Sequence, residues 1–144
     1  LMQEAMDDLA AQAGLNLVYE PNDDGATFTN FSSGQGQLGV RGDIRISGRD
    51  IDGNNGVLGF AYSPDYGDIV LETYDSFYNS TSNNSIGFVN VLTHEVGHAL
   101  GLGHVCPVNQ TKLMEPFINT GFRGAQFDET YSLQRQYADE LEVH

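Results

Sequence analysis

The run His94-Glu95-Val96-Gly97-His98-Ala99-Leu100-Gly101-Leu102-Gly103-His104 constrains this chain more than any other stretch, because it gathers three imidazoles and a carboxylate in one short segment. On an α-helix His94 and His98 lie one turn apart on one face and can point at one tetrahedral cation. Glu95 stands about 100° further round the helix, where its carboxylate reaches a water held by the metal without becoming a ligand itself. Such a helix has to stop abruptly if His104 is to turn back as a third ligand. Gly101 and Gly103 offer the left-handed backbone that such a stop requires. Three neutral imidazoles leave a fourth position open, which marks a catalytic rather than a structural zinc site. Ordinary polar helix residues have no reason to match all these positions at once, whereas a His-Glu-x-x-His pair alone would say much less.

The pattern His94-Glu95-x-x-His98-x-x-Gly101-x-x-His104, followed by Met114, resembles that of the metzincin zinc proteases. Within that clan, Lys112-Leu113-Met114-Glu115-Pro116 is similar to the Met-turn of the matrixins, the matrix-metalloproteinase-like family. The resemblance implies that Met114 forms an apolar floor beneath the three imidazoles; by composition alone it reads as a core methionine. The spacing from His104 to Met114 is slightly longer than the matrixins usually have, through an insertion that holds Cys106 and Pro107. Astacins and serralysins carry a tyrosine where this chain has Pro116, which separates it from both.

A second candidate metal site follows the same logic. Asp50-Ile51-Asp52-Gly53-Asn54-Asn55-Gly56 is a turn rich in oxygen donors, with Glu72 and Asp75 downstream. Hard oxygen ligands in a flexible loop suit Ca²⁺, although an Asx-type turn without an ion has the same composition. The matrixin resemblance implies calcium ligands in the Asp52 side chain and the carbonyls of Gly53, Asn55 and Val57. Glu72 and Asp75 then complete the set, with Glu72 where the family has Asp. The structural zinc that matrixins hold with three His and one Asp is not expected: two of its histidine positions hold Phe60 and Val70, and His144 is the only histidine outside the catalytic motif.

Composition narrows the partners. The 144 residues carry a formal net charge of -14, which disfavours nucleic acid and anionic membranes. No run approaches the 18 or more apolar residues of a membrane span. Cys106 cannot pair within the chain and reads as a small buried hydrophobe rather than a reactive thiol. Leu1 to Ala10 lacks the pattern of a signal peptide, so a mature form or a fragment is expected. Asn30, Asn79, Asn83 and Asn109 each begin an Asn-x-Ser/Thr triplet, a pattern common in polar loops.

The expected fold is α+β, a single metzincin-like catalytic domain over 1–144, with a small mixed twisted sheet. Met2, Ala5, Met6, Leu9 and Ala13 recur at helical spacing before Gly14, predicting an N-terminal helix over 2–13. Strands are predicted over 15–20, where Leu15, Leu17 and Tyr19 share a face, and over 39–47, 57–62 and 68–72. The strand reading of 39–47 displaces the adhesion tripeptide spelled by Arg41-Gly42-Asp43. A central buried helix spans 86–100, and a last helix carries Leu133, Tyr137 and Leu141 with Asp128 as N-cap. The matrixin fold has a strand before its first helix that is missing here, so either it was removed or the sheet is one strand smaller.

The expected reaction is peptide-bond hydrolysis by a zinc-dependent endopeptidase, with Glu95 taking a proton from the zinc-held water and passing it to the leaving amine. Substrate is expected to lie extended along 56–62. By resemblance, Gly59, Phe60 and Ala61 form one lip of the cleft and Pro116, Phe117 and Ile118 the other, while the segment 116–126 sets the side-chain preference and Arg123 stays exposed. A non-enzyme alternative is a peptide-binding pseudoprotease that retains zinc. Protein or peptide substrates, a monomeric state and a secreted or extracellular location complete the expectations.

Overall fold

Gly14 ends the first helix as its sequence predicts: α1 spans Met2–Ala13, and Gly14 adopts a left-handed φ of 71° while its N–H caps the Ala10 carbonyl. The computed structural model describes residues 1–27, 35–64, 66–106 and 108–137, so Asn30, Pro107, Leu141 and His144 lie outside the described residues. Three strands follow: β1 (Ile46–Arg49), β2 (Gly59–Ala61) and β3 (Ile69–Glu72). They form one mixed sheet in the order β1-β3-β2, with β1 parallel and β2 antiparallel to the central β3. A 3-10 turn at Ser76–Asn79 leads into α2 (Ser82–Ala99), and α3 spans Phe127–Tyr137. Asn83, Asn84 and Ser85 have left-handed φ, so the right-handed helix starts at Ile86, where the apolar run begins. The architecture is α+β.

The core lies between α1, the sheet and α2. Ala5, Leu9 and Ala13 of α1 meet Ile69 and Leu71 of β3, Val89, Val91, Leu92 and Val96 of α2, and Leu133 of α3. Full burial of each larger side chain among them, such as Leu9, Leu92 or Leu133, contributes about 1.5–3 kcal/mol. Because β3 is buried along its whole length, it has the continuous apolar run expected of a strand covered on both faces.

Four expectations are corrected, the first being that of a buried Cys106, which is exposed. Residues 15–20 form no ladder among the described residues: Val18 and Tyr19 are exposed, and Glu20 instead accepts hydrogen bonds from Asn22 and Gly39 N–H groups. A period-two pattern gives extension, but a strand also needs a neighbour. The second strand starts at Ile46 rather than at 39, because 37–41 folds into a tight turn closed by a Gln37–Arg41 bridge. Arg41-Gly42-Asp43 is therefore not strand, yet it is not a free adhesion loop either, since the Arg41 guanidinium is paired with Asp24 and bonded to the Gln35 carbonyl. Finally, α3 starts one residue before Asp128, which sits in the first turn and pairs with Lys112 at 3.6 Å. Its reciprocal cap is Glu129, whose carboxylate accepts from the Gln126 N–H at 2.9 Å.

A buried ion pair fixes the sheet to the chain before it. Arg45 Nε and Nη2 reach the two oxygens of Asp68 at 3.0 and 2.7 Å, and Nη1 donates to the Ala26 carbonyl at 2.7 Å. Asp68 is fully buried. Removing one partner of such a pair strands the other charge, so Asp68→Ala is expected to lower stability by roughly 3–5 kcal/mol, read from urea unfolding against the wild-type chain.

Candidate active site

The third imidazole is brought in by a helix stop. After Ala99 the chain forms a double cap in which the Gly101 N–H bonds the His98 carbonyl at 2.9 Å and the Leu102 N–H bonds the Gly97 carbonyl at 2.8 Å. Gly101 takes φ 99° to do so, and this Schellman arrangement is open to glycine at little strain. Gly103, by contrast, has no left-handed φ, so only one of the two expected glycine turns is used. The stop also turns the Leu102 carbonyl onto His98 Nδ1 at 2.8 Å. His94 Nδ1 meets the Leu113 carbonyl at 2.7 Å.

These two carbonyls settle the tautomers. A carbonyl can only accept, so both rings carry their proton on Nδ1 and present the Nε2 lone pair. His104 Nε2 lies 3.2 Å from His94 Nε2 and 3.1 Å from His98 Nε2. At most one such contact can be a hydrogen bond, because His104 has a single proton to give from Nε2 and the neighbouring lone pairs repel. A tetrahedral zinc with Zn–N of about 2.0–2.1 Å places its ligand nitrogens roughly 3.3 Å apart. The donor set therefore fits one zinc ion, and among the described residues no other group of His, Cys, Asp and Glu gathers as closely. Burial and, more weakly, the neighbouring rings push the His94 pKa down to about 4, against a smaller upward pull from its bond to Leu113. Burial first, and then His98, also lowers that of His104. Both rings are thus neutral, as ligands must be.

Glu95 is buried against β2, where a side chain on Gly59 would approach its Cγ at 3.4 Å. Among the described residues its Oε2 is buried without a hydrogen-bond partner. Burial raises its pKa to about 7. Glu95 and the three histidines line one cleft of about 730 Å³, together with Gly59, Phe60 and Ala61 on one side and Pro116, Phe117 and Ile118 on the other. All six residues named for the two lips thus share one cavity with the triad. The Tyr78 hydroxyl donates to the Leu58 carbonyl at 2.6 Å, which fixes the entry to β2.

Met114 is buried, and its Sδ faces the α2 backbone so closely that a Cβ on Gly97 would stand 2.6 Å from it. Gly97 lies between His94 and His98 in the chain, so the methionine abuts the helix where the ligands leave it. Two buried carboxylates, neither singled out by sequence pattern, hold this turn. Glu115 accepts from the N–H groups of Gln110, Thr111 and Lys112; burial alone would raise its pKa, but those bonds prevail and lower it. Glu129 Oε1 accepts from the Met114 N–H at 3.2 Å. At the other end of α3, the Tyr137 hydroxyl and Gln136 Nε2 donate to the Leu100 carbonyl at 2.6 and 3.2 Å. One helix thus fastens both the methionine turn and the stop that delivers His104.

In the loop 50–57 the carboxylates engage backbone N–H groups. Glu72 accepts from Ile51, Asp52, Gly53 and Tyr74, Asp75 from Asn55 and Phe77, and Asp52 from Val57. Phe60 and Val70 are cross-strand partners, and the Arg49 guanidinium lies 5.7 Å from the Phe60 ring centre.

The family model for the matrixins, peptidase family M10, matches residues 24–138. The chain belongs to the matrixin family. It is 35% identical over 97 residues to matrix metalloproteinase-25 of Mus musculus, covering 63% of this chain and 15% of that protein. It is 37% identical over 83 residues to matrix metalloproteinase-26 of Homo sapiens, covering 51% and 31%. A third relative, metalloendoproteinase 2-MMP of Arabidopsis thaliana, is 32% identical over 103 residues, covering 65% and 26%. The matched region thus spans less than a third of each of these relatives. Membership supports a metalloprotease, with zinc as the metal that the family implies for the triad.

The Glu72 carboxylate gives a sign for pH. Burial alone would raise its pKa, yet the N–H groups of Tyr74, Asp52, Ile51 and Gly53 together hold it down at about 2. A carboxylate of the unfolded chain titrates near 4.3, so the unfolded state binds the proton first on acidification. The stabilisation is full above that value and is lost as pH falls through about 2. Glu72→Gln is expected to be less stable near neutrality and to lose less stability between pH 5 and pH 2 than wild type, by thermal melts across that range.

Proposed function

We propose that this matrixin domain is a zinc-dependent endopeptidase that hydrolyses internal peptide bonds of proteins. The observation that carries the reading is the pairing of two features in one cleft: three Nε2 atoms converging on a point, and beside them a buried carboxylate with one oxygen lacking any partner. A zinc ion held by His94, His98 and His104 supplies Lewis acidity toward water and toward the scissile carbonyl. Glu95 takes the proton of the attacking water and gives it to the leaving amine as the carbon–nitrogen bond breaks. A carboxyl with a pKa near neutrality is matched to both halves of that transfer.

The remaining residues bind and orient. An extended peptide laid against β2 can add to the sheet through its backbone, with Gly59 leaving room for close approach. Pro116, Phe117 and Ile118 form the facing wall, and Phe117 is largely exposed. Met114 acts as the apolar support beneath the ligand-bearing helix. Among the described residues that line the cleft there is no lysine or arginine to hold a chain's terminal carboxylate, which favours internal cleavage.

Calcium in the loop 50–57 belongs to the same reading. Asp52, Glu72 and Asp75 supply three carboxylates to one loop, and the carbonyls of Gly53, Asn55 and Val57 complete a hard oxygen set. One calcium and one zinc, without a second structural zinc, are the proposed complement. By family, the protein acts outside the cell, as a monomer on protein or peptide substrates.

Replacing Glu95 by Ala tests the chemistry. Casein cleavage by the zinc-loaded chain is expected to fall by about 10²–10⁴-fold, with one zinc per chain retained by metal analysis. Equal cleavage by wild type and variant would remove Glu95 from the mechanism. Absence of cleavage by a folded, zinc-loaded wild-type chain, with peptide still bound, would favour the pseudoprotease. Calcium is checked separately: ligand linkage raises the melting temperature as calcium is titrated, and Asp75→Asn is expected to abolish that rise.

A further inference from the structure

Glu115 is fully buried, takes no part in the proposed chemistry, and follows directly on the methionine that supports α2. A buried carboxylate is unfavourable unless its lone pairs are met. Oε2 accepts from the Gln110 N–H at 2.6 Å, and Oε1 from those of Thr111 and Lys112 at 2.8 and 3.1 Å. Gln110 takes a left-handed φ of 61°, which a residue with a Cβ holds only where its surroundings demand it. Such a turn aims successive N–H groups at one anion.

The chain beyond the cleft wall is anchored by other means. The buried Asn90 amide ties 119–124 to α2: Nδ2 donates to the carbonyls of Asn119 and Phe122, both at 2.7 Å, and Oδ1 accepts from the Gly124 N–H at 2.8 Å. Arg123, expected to be exposed, is partly buried and donates to the carbonyls of Asn83 and Asn84, each at 3.2 Å. The loop before Met114 has less to hold it. Its described residues from 105 to 112 belong to no helix or strand, and Asn119 meets it through one bond, from Nδ2 to the Gln110 carbonyl at 2.6 Å.

Two ligand histidines depend on the peptide groups where this loop ends. The Leu113 carbonyl meets His94 Nδ1 at 2.7 Å. The Met114 carbonyl accepts at 3.0 Å from the N–H of Val105, the residue after His104. Because the two carbonyls belong to consecutive residues, the path of the chain into Leu113 sets both directions together. We propose that Glu115 is a positioning residue of the metal centre: by gathering the N–H groups of 110–112 it fixes the Leu113 and Met114 carbonyls, and through them the lone pair of His94 and the segment that carries His104. The proposal rests on the zinc part of the endopeptidase reading and deepens it. Glu115 touches neither metal nor substrate. Without its carboxylate three N–H groups lose their acceptor, the loop opens toward water, and the Leu113 peptide is free to turn away from the imidazole.

The test compares wild type, Glu115→Ala and Glu115→Gln, each shown to be folded by circular dichroism, for zinc affinity by competition with a chelating dye. Glu115→Ala is expected to weaken zinc binding by roughly tenfold or more, the scale on which groups that orient metal-bound imidazoles act. Glu115→Gln keeps one acceptor oxygen and is expected to fall between the two; it serves alone if Glu115→Ala does not fold. A second readout needs no metal. Nitrogen-15 NMR of the zinc-free chain is expected to find the His94 proton on Nδ1 in wild type and shared between both ring nitrogens in the Glu115 variants. Asp68→Ala, which weakens the fold by breaking a buried ion pair on the sheet, is expected to move neither reading while it remains folded. A folded Glu115 variant that matches wild type in zinc affinity or in the His94 tautomer overturns the proposal, as does an equal loss of affinity in Asp68→Ala. A wild type that binds no zinc would instead overturn the zinc reading, and the His94 tautomer alone then decides the role of Glu115.

Discussion

Lone pairs that face each other at 3.1–3.2 Å repel unless a cation stands among them, and the structure is arranged to keep three of them there. The Leu113 and Leu102 carbonyls hold the protons of two rings on the far nitrogens, which fixes where the free lone pairs point. Those carbonyls belong to the methionine turn and the helix stop, so the loops on both sides of the cleft are defined by their duty to the imidazoles. A metal held by these three nitrogens would favour the folded chain, because only folding brings them together.

The part of this design that repeats at short range was legible in the sequence. His94, Glu95, His98, Gly101 and His104 are separated by helical and turn spacings, and the structure brings them together where those spacings say. The termination of α1 at Gly14 and the start of the right-handed helix at Ile86 are legible for the same reason. The residues 15–20 were misread because alternation reports which way side chains point, while a strand requires a partner that local pattern does not name. Asn90 and Glu129 were missed because an Asn or a Glu inside a helical pattern looks like any surface residue. Apart from Gln126, which Glu129 caps locally, their partners lie 15 to 34 residues away, and only the assembled fold shows that each sits at the centre of a set of backbone groups.

Several loops here are organised by carboxylates rather than by ladders. Glu72, Glu115 and Glu129 are almost fully buried and each collects backbone N–H groups from a turn. This alters the meaning of the net charge of -14. Some of that charge is internal and structural, satisfied by peptide dipoles rather than by solvent.

The two-ended attachment of α3 makes that helix a splint across the site. Its first turn grips the Met114 N–H, and its last turn grips the Leu100 carbonyl. Regions of a protein open as cooperative units rather than residue by residue, and a helix that holds both supports at once places them in one such unit. Fraying of α3 would then release both supports of the three imidazoles at once, although the helix contributes none of those imidazoles itself.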